Sequence, residues 1–522
     1  MVKLNKKIKE IFTLKRILII LIIVSLVLIS FQTGKFVVAD EYWYLDTAKS
    51  VLSVGEPLVQ FCDNFAPELF AGHTTTYIYY LAFFIFLIPE QFIRFSGIPF
   101  FLLNILLIHL ISKKLFKRKE LSYIAPLLYT INPLALQGTL LLDIDNTLLS
   151  TALLVLGFIF TKEFKNKTCE RLSVAISTAI VLWMKFTIIF VVLAGVIIQQ
   201  LIQRKKLLER TVQIVLGIII FVVSWLGISA IFNYPGIAIF EYLLKQILVN
   251  SGFSLYDKIV TILYAGLKQN LLWITLPLTA MFLFGLKNKK TRFFAILSIL
   301  AFLQYLFSIP SSYRFPKYMA AFLPFIVIVA TGWFDFEELK IKTKHYLLIL
   351  FPGVVYTLLL QDPIGRARDF LQATYIVIVN GVVILPGIIW LRKKEIMLLL
   401  LVGICFYTNI FHLMTPATMY NYGENGLGET IDFVSANFDT NTNVFAHGRE
   451  VSYYTGTRQY CFRKINETIV DDVHNDCVKA IVVKYGWDDK IHPLLVDITE
   501  ENYEEIFNAG DYSVFKTNVC GD

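Results

Sequence analysis

Long apolar runs recur along this chain to beyond residue 400, and short clusters of Lys and Arg separate them. A run of roughly 20 apolar residues is the length of helix that crosses the hydrocarbon core of a bilayer. A water-soluble chain would have to bury all of these runs at once. With 56% hydrophobic residues in a chain of 522, such a core would outgrow the size at which single domains stop enlarging. Lipid removes the conflict, so the chain reads as a polytopic α-helical membrane protein. The formal charge of +8 does not point to nucleic acid. The basic residues lie between the apolar runs, as the positive-inside bias requires.

Segment 1–16 is basic and 17–31 is apolar. No small-x-small site ends the apolar part cleanly, so we read a retained first helix with a cytoplasmic N-terminus. Further spans are expected at 96–111, 121–140, 147–161, 172–184, 186–202, 211–232, 270–286, 293–309, 318–334, 346–360, 373–391 and 396–411. Segment 77–88 is apolar and aromatic but too short to span, and is expected to lie in the membrane interface. The result is about thirteen transmembrane helices. This register puts 29 of the 48 Lys/Arg residues on the inner side and 11 in outer loops. Counting 77–88 as a span would move Lys113, Lys114, Lys117, Arg118 and Lys119 outside, against that bias.

Two regions follow: a multispanning one at 1–414, with a long first outer loop at 32–95, and an extracytoplasmic soluble domain at 415–522. The loop is acidic, carrying Asp40, Glu41, Asp46, Glu56, Asp63 and Glu68. The tail loses the apolar runs. Strand-like pieces at 443–446, 480–484 and 512–516, with a helical stretch at 429–437, predict a small exported α/β domain. Cys62, Cys461, Cys477 and Cys520 fall outside, where three disulfide connectivities are open, and Cys169 and Cys405 would stay free.

Several residues are candidates for chemistry. Asp40 and Glu41, in Ala39-Asp40-Glu41-Tyr42-Trp43-Tyr44, lie within ten residues of the first span. Carboxylates at a bilayer rim suit general-base work; the plainer reading is acids complementing a helix dipole. Asp143 and Asp145 sit in a short outer connection, Leu141-Leu142-Asp143-Ile144-Asp145-Asn146. Ionisable groups at membrane depth mark function or a buried partner, although capping of the next span by Asp145 or Asn146 is equally simple. A two-residue separation on a helix would let only one of the two acids reach a shared site. Lys185 interrupts two apolar runs near the outer surface and suggests a bound anion, with snorkelling as the plain alternative. Arg314 and Lys317, in Ser312-Tyr313-Arg314-Phe315-Pro316-Lys317-Tyr318, add cations able to hold a phosphate. His73 opens the interfacial segment. No zinc-type spacing accompanies it.

These segments resemble, in order, those of membrane glycosyltransferases of the GT-C fold, in particular the protein O-mannosyltransferase and lipid A aminoarabinose transferase group. The likeness rests on Asp40-Glu41 with Tyr44 and Ala48, on His73 before an aromatic helix, on the Asp143/Asp145 loop, on Lys185, and on Arg314 to Tyr318 with Pro324. It covers about the first 335 residues. Thr74-Thr75 stands where such families often have two prolines.

The resemblance implies transfer of a sugar from a polyprenyl-phosphate donor to a protein, glycan or lipid acceptor on the outer face, with inversion. Asp40 would be the general base. Glu41 or Asp145 would position acceptor or sugar, and Asp143, His73 and Tyr318 would line the substrate site. Lys185, with Arg314 or Lys317, would hold the phosphate. No cofactor is required, and the acids could ligate a divalent cation, though no ligand set is complete. A transporter or flippase for a lipid-linked sugar or cell-envelope precursor is the rival; it needs internal repeats and paired broken helices, which the sequence does not display. A non-catalytic assembly subunit is a second rival.

Overall fold

The computed structural model describes residues 2–38, 40–60, 63, 66–70, 73–203, 207–231, 234–241, 244, 270–308, 317–335, 405, 409, 426–446, 450–460, 477–484 and 503–517. Arg314, Cys62, Cys461, Cys520, the expected spans at 346–360 and 373–391, and most of that at 396–411 lie outside these residues. In chain order the principal helices are α1 (Val2–Ser30), α2 (Asp40–Val54), α3 (Thr76–Leu87), α4 (Ile98–Leu115), α5 (Leu121–Thr130), α6 (Pro133–Leu140), α7 (Thr147–Thr161), α8 (Lys167–Met184), α9 (Ile189–Gln203) and α10 (Leu207–Ile231). They continue with α11 (Leu276–Gly285), α12 (Arg292–Ser308), α13 (Lys317–Ala320), α14 (Leu323–Phe334), α15 (Leu427–Asn437) and α16 (Glu450–Thr455).

Chain packing forms two compact units. One comprises Met1–Thr33, Ala71–Thr74 and Arg94–Met414; the other comprises Gly34–Phe70, Thr75–Ile93 and Thr415–Asp522. The sequence reading leaves the first outer loop with the spans, whereas here most of that loop, and α3, group with the tail.

Two helical stretches among the described residues, Glu90–Leu115 and Glu209–Ile231, are long and apolar enough to cross a membrane; all but the first four residues of the former belong to the first unit. Shorter apolar helices accompany them, among them Leu121–Thr130, Thr147–Thr161 and Leu323–Phe334. Val212, Val215, Ile219, Val223 and Leu226 form an exposed stripe along α10 at helical spacing. Stripes of this kind are unfavourable against water and natural against lipid.

Several expected spans are broken, each for a local reason. The run 121–140 divides at Asn132-Pro133. The residue before a proline avoids helical geometry, and Asn132 is extended, its side chain accepting from the Leu134 N–H at 2.9 Å to cap α6. The expected 318–334 span divides into α13 and α14, with Pro324 in the first turn of α14. Expected 270–286 opens with a π-turn, Asn270–Thr275, before α11. Helix α8 starts earlier than expected because Asn166 caps it, accepting from the Thr168 N–H at 2.8 Å.

One buried polar network links three helices of this bundle. Asn104 donates to the Tyr129 hydroxyl at 3.1 Å and the Thr147 carbonyl at 3.0 Å, and accepts from Thr151 Oγ1 at 2.7 Å. This network locks α4, α5 and α7 together where apolar contact alone gives little specificity. Gly97 permits close approach to α6, since a Cβ there would meet the Thr139 carbonyl oxygen at 2.0 Å.

In the second unit the described strands of the tail form a five-stranded mixed sheet. Its strands are β3 (Asn443–Ala446), β4 (Arg458–Gln459), β5 (Val478–Lys484), β6 (Tyr503–Ala509) and β7 (Tyr512–Thr517), arranged β4-β3-β5-β7-β6. Strand β3 runs parallel to β4 and β5, and β7 antiparallel to β5 and β6. A two-stranded hairpin in the loop, β1 (Leu58–Val59) with β2 (Glu68–Leu69), precedes them. Buried Val478, Ile481, Val483, Tyr460 and Tyr503 form the apolar centre of the sheet. Cys477 is disulfide-bonded, and Cys169 and Cys405 are free.

The entry to α15 is a conformational constraint. Gly426 has φ +86°, and a Cβ there would lie 2.0 Å from the Ala509 carbonyl oxygen. Left-handed backbone costs an L-residue about 1–2 kcal/mol before any clash. Gly426→Ala should therefore lower the thermal unfolding midpoint of the purified protein in detergent by several degrees; an unchanged midpoint would refute this reading of the turn.

Candidate functional site

The connection between α6 and α7 supplies the first half of the site. Residues 141–146 are non-helical, and Asn146 rather than Asp145 caps α7, accepting from the Leu148 N–H at 2.8 Å. Both acids are thereby released from capping duty. The Asp145 N–H donates to Asp143 Oδ1 at 3.1 Å, which shapes the turn. The sequence expectation that only one of the two acids can reach a shared site is corrected here. It assumed helical geometry, and a turn lets both carboxylates converge.

The second half comes from two breaks in helices. Helix α8 ends at Met184, and Lys185 is extended, at φ −153° and ψ 102°, with its N–H still bonded to the Val181 carbonyl. A single turn of 3₁₀ helix, Phe186–Ile188, then leads to α9. Lys185 Nζ sits 2.6 and 2.7 Å from the two carboxylate oxygens of Asp145. Lys317 opens α13, which Ser150 ties to α7 by donating to the Ala320 carbonyl at 3.3 Å. Lys317 Nζ lies 2.6 Å from Asp143 Oδ2. Tyr318 stands between the lysines: Nζ of Lys185 is 5.2 Å, and that of Lys317 5.3 Å, from its ring centroid. Both are within cation–π range.

The two pairs differ in access. Lys317 and Asp143 are each only 2% exposed, whereas Lys185 is 12% exposed beside Asp145 at 5%. Sequence reasoning expected cations available to an anion; in this structure Lys185 and Lys317 are each paired with an acid, because a buried lone charge is far costlier than a buried pair. Burial pushes the Asp145 carboxyl upward, and Lys185 opposes that shift. Of the two cations, Lys185 is the more exposed.

His73 joins this cluster. Thr74 Oγ1 donates to the Met184 carbonyl at 3.1 Å, which holds the segment beside Lys185. Burial first, and then the Lys185 charge, lower the His73 imidazole from 6.5 to about 3. It is thus a neutral ring at ordinary pH, suited to hydrogen bonding and not to charge. Thr74, which the sequence marks only as a departure from a proline pair, is the residue whose role sequence reasoning missed. Its hydroxyl gave no spacing signal by which to find it.

Asp40 and Glu41 belong to the second unit, as the first two residues of α2. Glu41 is fully buried. Its carboxylate accepts from the Val38 N–H at 3.3 Å while its own N–H donates to the Val38 carbonyl at 3.1 Å. Such reciprocal bonding fixes a helix entry. Asp40 is more exposed than Glu41. Arg314 lies outside the described residues. Among the described residues no group of three or more His, Cys, Asp or Glu could hold a metal ion.

Removing one partner of a buried pair costs roughly 3–5 kcal/mol, while replacing both can be close to neutral. Lys317→Met should therefore lower the unfolding midpoint clearly, more than Lys185→Met does, and Asp143→Leu combined with Lys317→Met should recover much of the loss. Equal midpoints for the single variants and wild type, in the same thermal assay, would contradict the pairing.

A sequence profile of the dolichyl-phosphate-mannose-protein mannosyltransferase family matches residues 73–227, a stretch that begins at His73 and contains Asp143, Asp145 and Lys185. Among curated protein sequences none matches the chain. Among solved structures, ArnT from Cupriavidus metallidurans bound to undecaprenyl phosphate superposes with a TM-score of 0.62 at 12% identity, over 97% of this chain and 99% of that one. The same protein in the apo state gives 0.61 at 13% identity, over 96% and 98%. At such identities the likeness speaks for the fold, and it runs nearly the full length of both chains. The chain has the GT-C fold of these solved structures, and its described residues are mostly helical.

Proposed function

We propose that this protein transfers a hexosyl or pentosyl group from a polyprenyl-phosphate donor to an acceptor hydroxyl on the outer face of the membrane. The observation that carries the reading is the cluster of His73, Asp143, Asp145, Lys185, Lys317 and Tyr318, built from helix breaks in a membrane fold. A charged, buried constellation in a hydrophobic bundle is costly, so a ligand is the natural reason to keep it. The solved ArnT complex that shares the fold contains a polyprenyl phosphate, undecaprenyl phosphate. Here the donor's prenyl tail would remain in lipid and its phosphate would enter beside Lys185.

The reaction is a single inverting displacement. The acceptor oxygen attacks the anomeric carbon, the bond from that carbon to the phosphate oxygen breaks, and the lipid phosphate leaves. Asp40 takes the acceptor's proton. Lys185 exchanges part of its contact with Asp145 for the departing phosphate oxygen, where negative charge grows and fixed cations lower the barrier most. Lys317, held by Asp143, keeps the turn and Tyr318 in place. Arg314 is the further cation the sequence offers. Asp145, once its lysine turns to phosphate, can accept from the sugar or acceptor. A protein hydroxyl, a glycan and a lipid are all acceptors of the right chemistry.

The test is transfer of radiolabelled sugar from polyprenyl-phosphate hexose and pentose donors by purified protein in vesicles. Wild type should transfer, and Asp40→Asn and Lys185→Ala should each lose on the order of a hundredfold or more in kcat, the usual scale of a general base or a charge stabiliser. Normal transfer by Asp40→Asn would remove the base assignment. Labelled lipid crossing the bilayer with no transfer would favour the transporter.

A further inference from the structure

Consecutive tyrosines of the tail's short helix α16 hold the segment just before α2 and a residue within α2. Upstream of Asp40, the N–H of buried Val37 donates to the Tyr454 hydroxyl at 2.6 Å. The Tyr454 ring meets Phe36 edge-on at 5.4 Å. Phe36 in turn rests on α15, where a Cβ added at Gly428 would lie 3.5 Å from its ring. Nine residues beyond Asp40, Lys49 Nζ donates to the Tyr453 hydroxyl at 3.0 Å, and that hydroxyl donates to Glu90 at 2.7 Å. Lys49 also pairs with Glu90 at 2.7 Å. Burial, with Glu90 beside it, pushes the Tyr453 phenol well up, so it stays a neutral donor. Two further ties hold the loop that follows α2. The Gln60 N–H donates to Asp46 Oδ2 at 3.2 Å, and Asp63 exchanges two bonds with the Gln459 backbone, at 2.8 and 2.7 Å.

These ties are unequal. The Lys49–Glu90 pair is 38% and 44% exposed, and exposed pairs contribute little. The Tyr454 bond satisfies a backbone donor at a buried residue, three positions before Asp40, and fixes where α2 begins. We propose that the tail domain serves the reaction as a positioning element for Asp40, with Tyr454 as the residue that sets the start of α2. This inference rests on the assignment of Asp40 as the general base. A base acts only from within about 2.6–3.2 Å of the proton it takes, and a misplacement of about 1 Å can cost on the order of a hundredfold. A hydrogen bond this close to Asp40 in sequence is therefore felt in kcat.

Tyr454→Phe keeps the ring and removes the acceptor. In the vesicle transfer assay its kcat should fall by about tenfold or more, with the KM for the lipid donor little changed. In an Asp40→Asn background, followed by single-turnover transfer, the same substitution should cost nothing further, because residues acting through one group are not additive. Wild-type kcat for a well-folded Tyr454→Phe, or an equal loss in both backgrounds, would overturn the inference while leaving the base assignment standing. If Tyr454→Phe does not fold, Tyr453→Phe carries the same comparison through Lys49 within α2. A loss that vanishes with Asp40→Asn supports the inference, and no loss or a persistent loss overturns it. Normal transfer by Asp40→Asn would end both the base assignment and the inference built on it.

Discussion

Two carboxylate–ammonium pairs, Asp143 with Lys317 and Asp145 with Lys185, organise the first unit around its candidate site. In a bundle surrounded by lipid neither charge of a pair can be left alone, so each acid dictates where its lysine must be. Lys317 has to open a short helix next to α7, and Lys185 has to sit in a break between α8 and α9. These interruptions place the two ammonium groups beside their acids. Tyr318 completes the arrangement by placing its ring within reach of both ammonium groups. The two pairs differ in exposure, Lys317 and Asp143 being the more deeply buried.

A division of labour follows in the second unit. The loop that carries Asp40 is packed with the tail through α16 and strand β4. Asp63 bonds both the N–H and the carbonyl of Gln459 on β4, an outer strand among the described ones. Acids that look alike in the loop therefore differ in use. Asp46 and Asp63 accept backbone N–H groups and Glu41 closes a helix entry, whereas Asp40 is the one placed at the more exposed start of α2.

Much of this was legible in the sequence where one local force dominates. The strand at 443–446 and the helix near 429–437 lie close to where local pattern places them, because periodicity and apolar content decide them. The candidate residues at 143, 145, 185, 317 and 318 could be named because charge inside an apolar run is conspicuous. Their pairing could not, since Asp143 and Lys317 are brought together across 174 positions. The breaks at Asn132-Pro133 and before Pro324 were hidden by unbroken hydropathy, although the prolines were there to be read. Strand β6 was missed for a different reason: the consecutive exposed Glu504 and Glu505 mask its alternation. The alliance of the first outer loop with the tail depends on hydroxyl and backbone contacts such as Tyr454 with Val37, which leave no pattern in the sequence.

The central claim is that the Lys185–Asp145 pair opens to receive a lipid phosphate. An experimental structure of the protein with a polyprenyl phosphate bound tests it most directly. The account predicts a phosphate oxygen within hydrogen-bond distance of Lys185 Nζ, with the contact to Asp145 lengthened from 2.6 Å and the Lys317–Asp143 pair intact. Phosphate bound elsewhere, with Lys185 still held by both oxygens of Asp145, would contradict it.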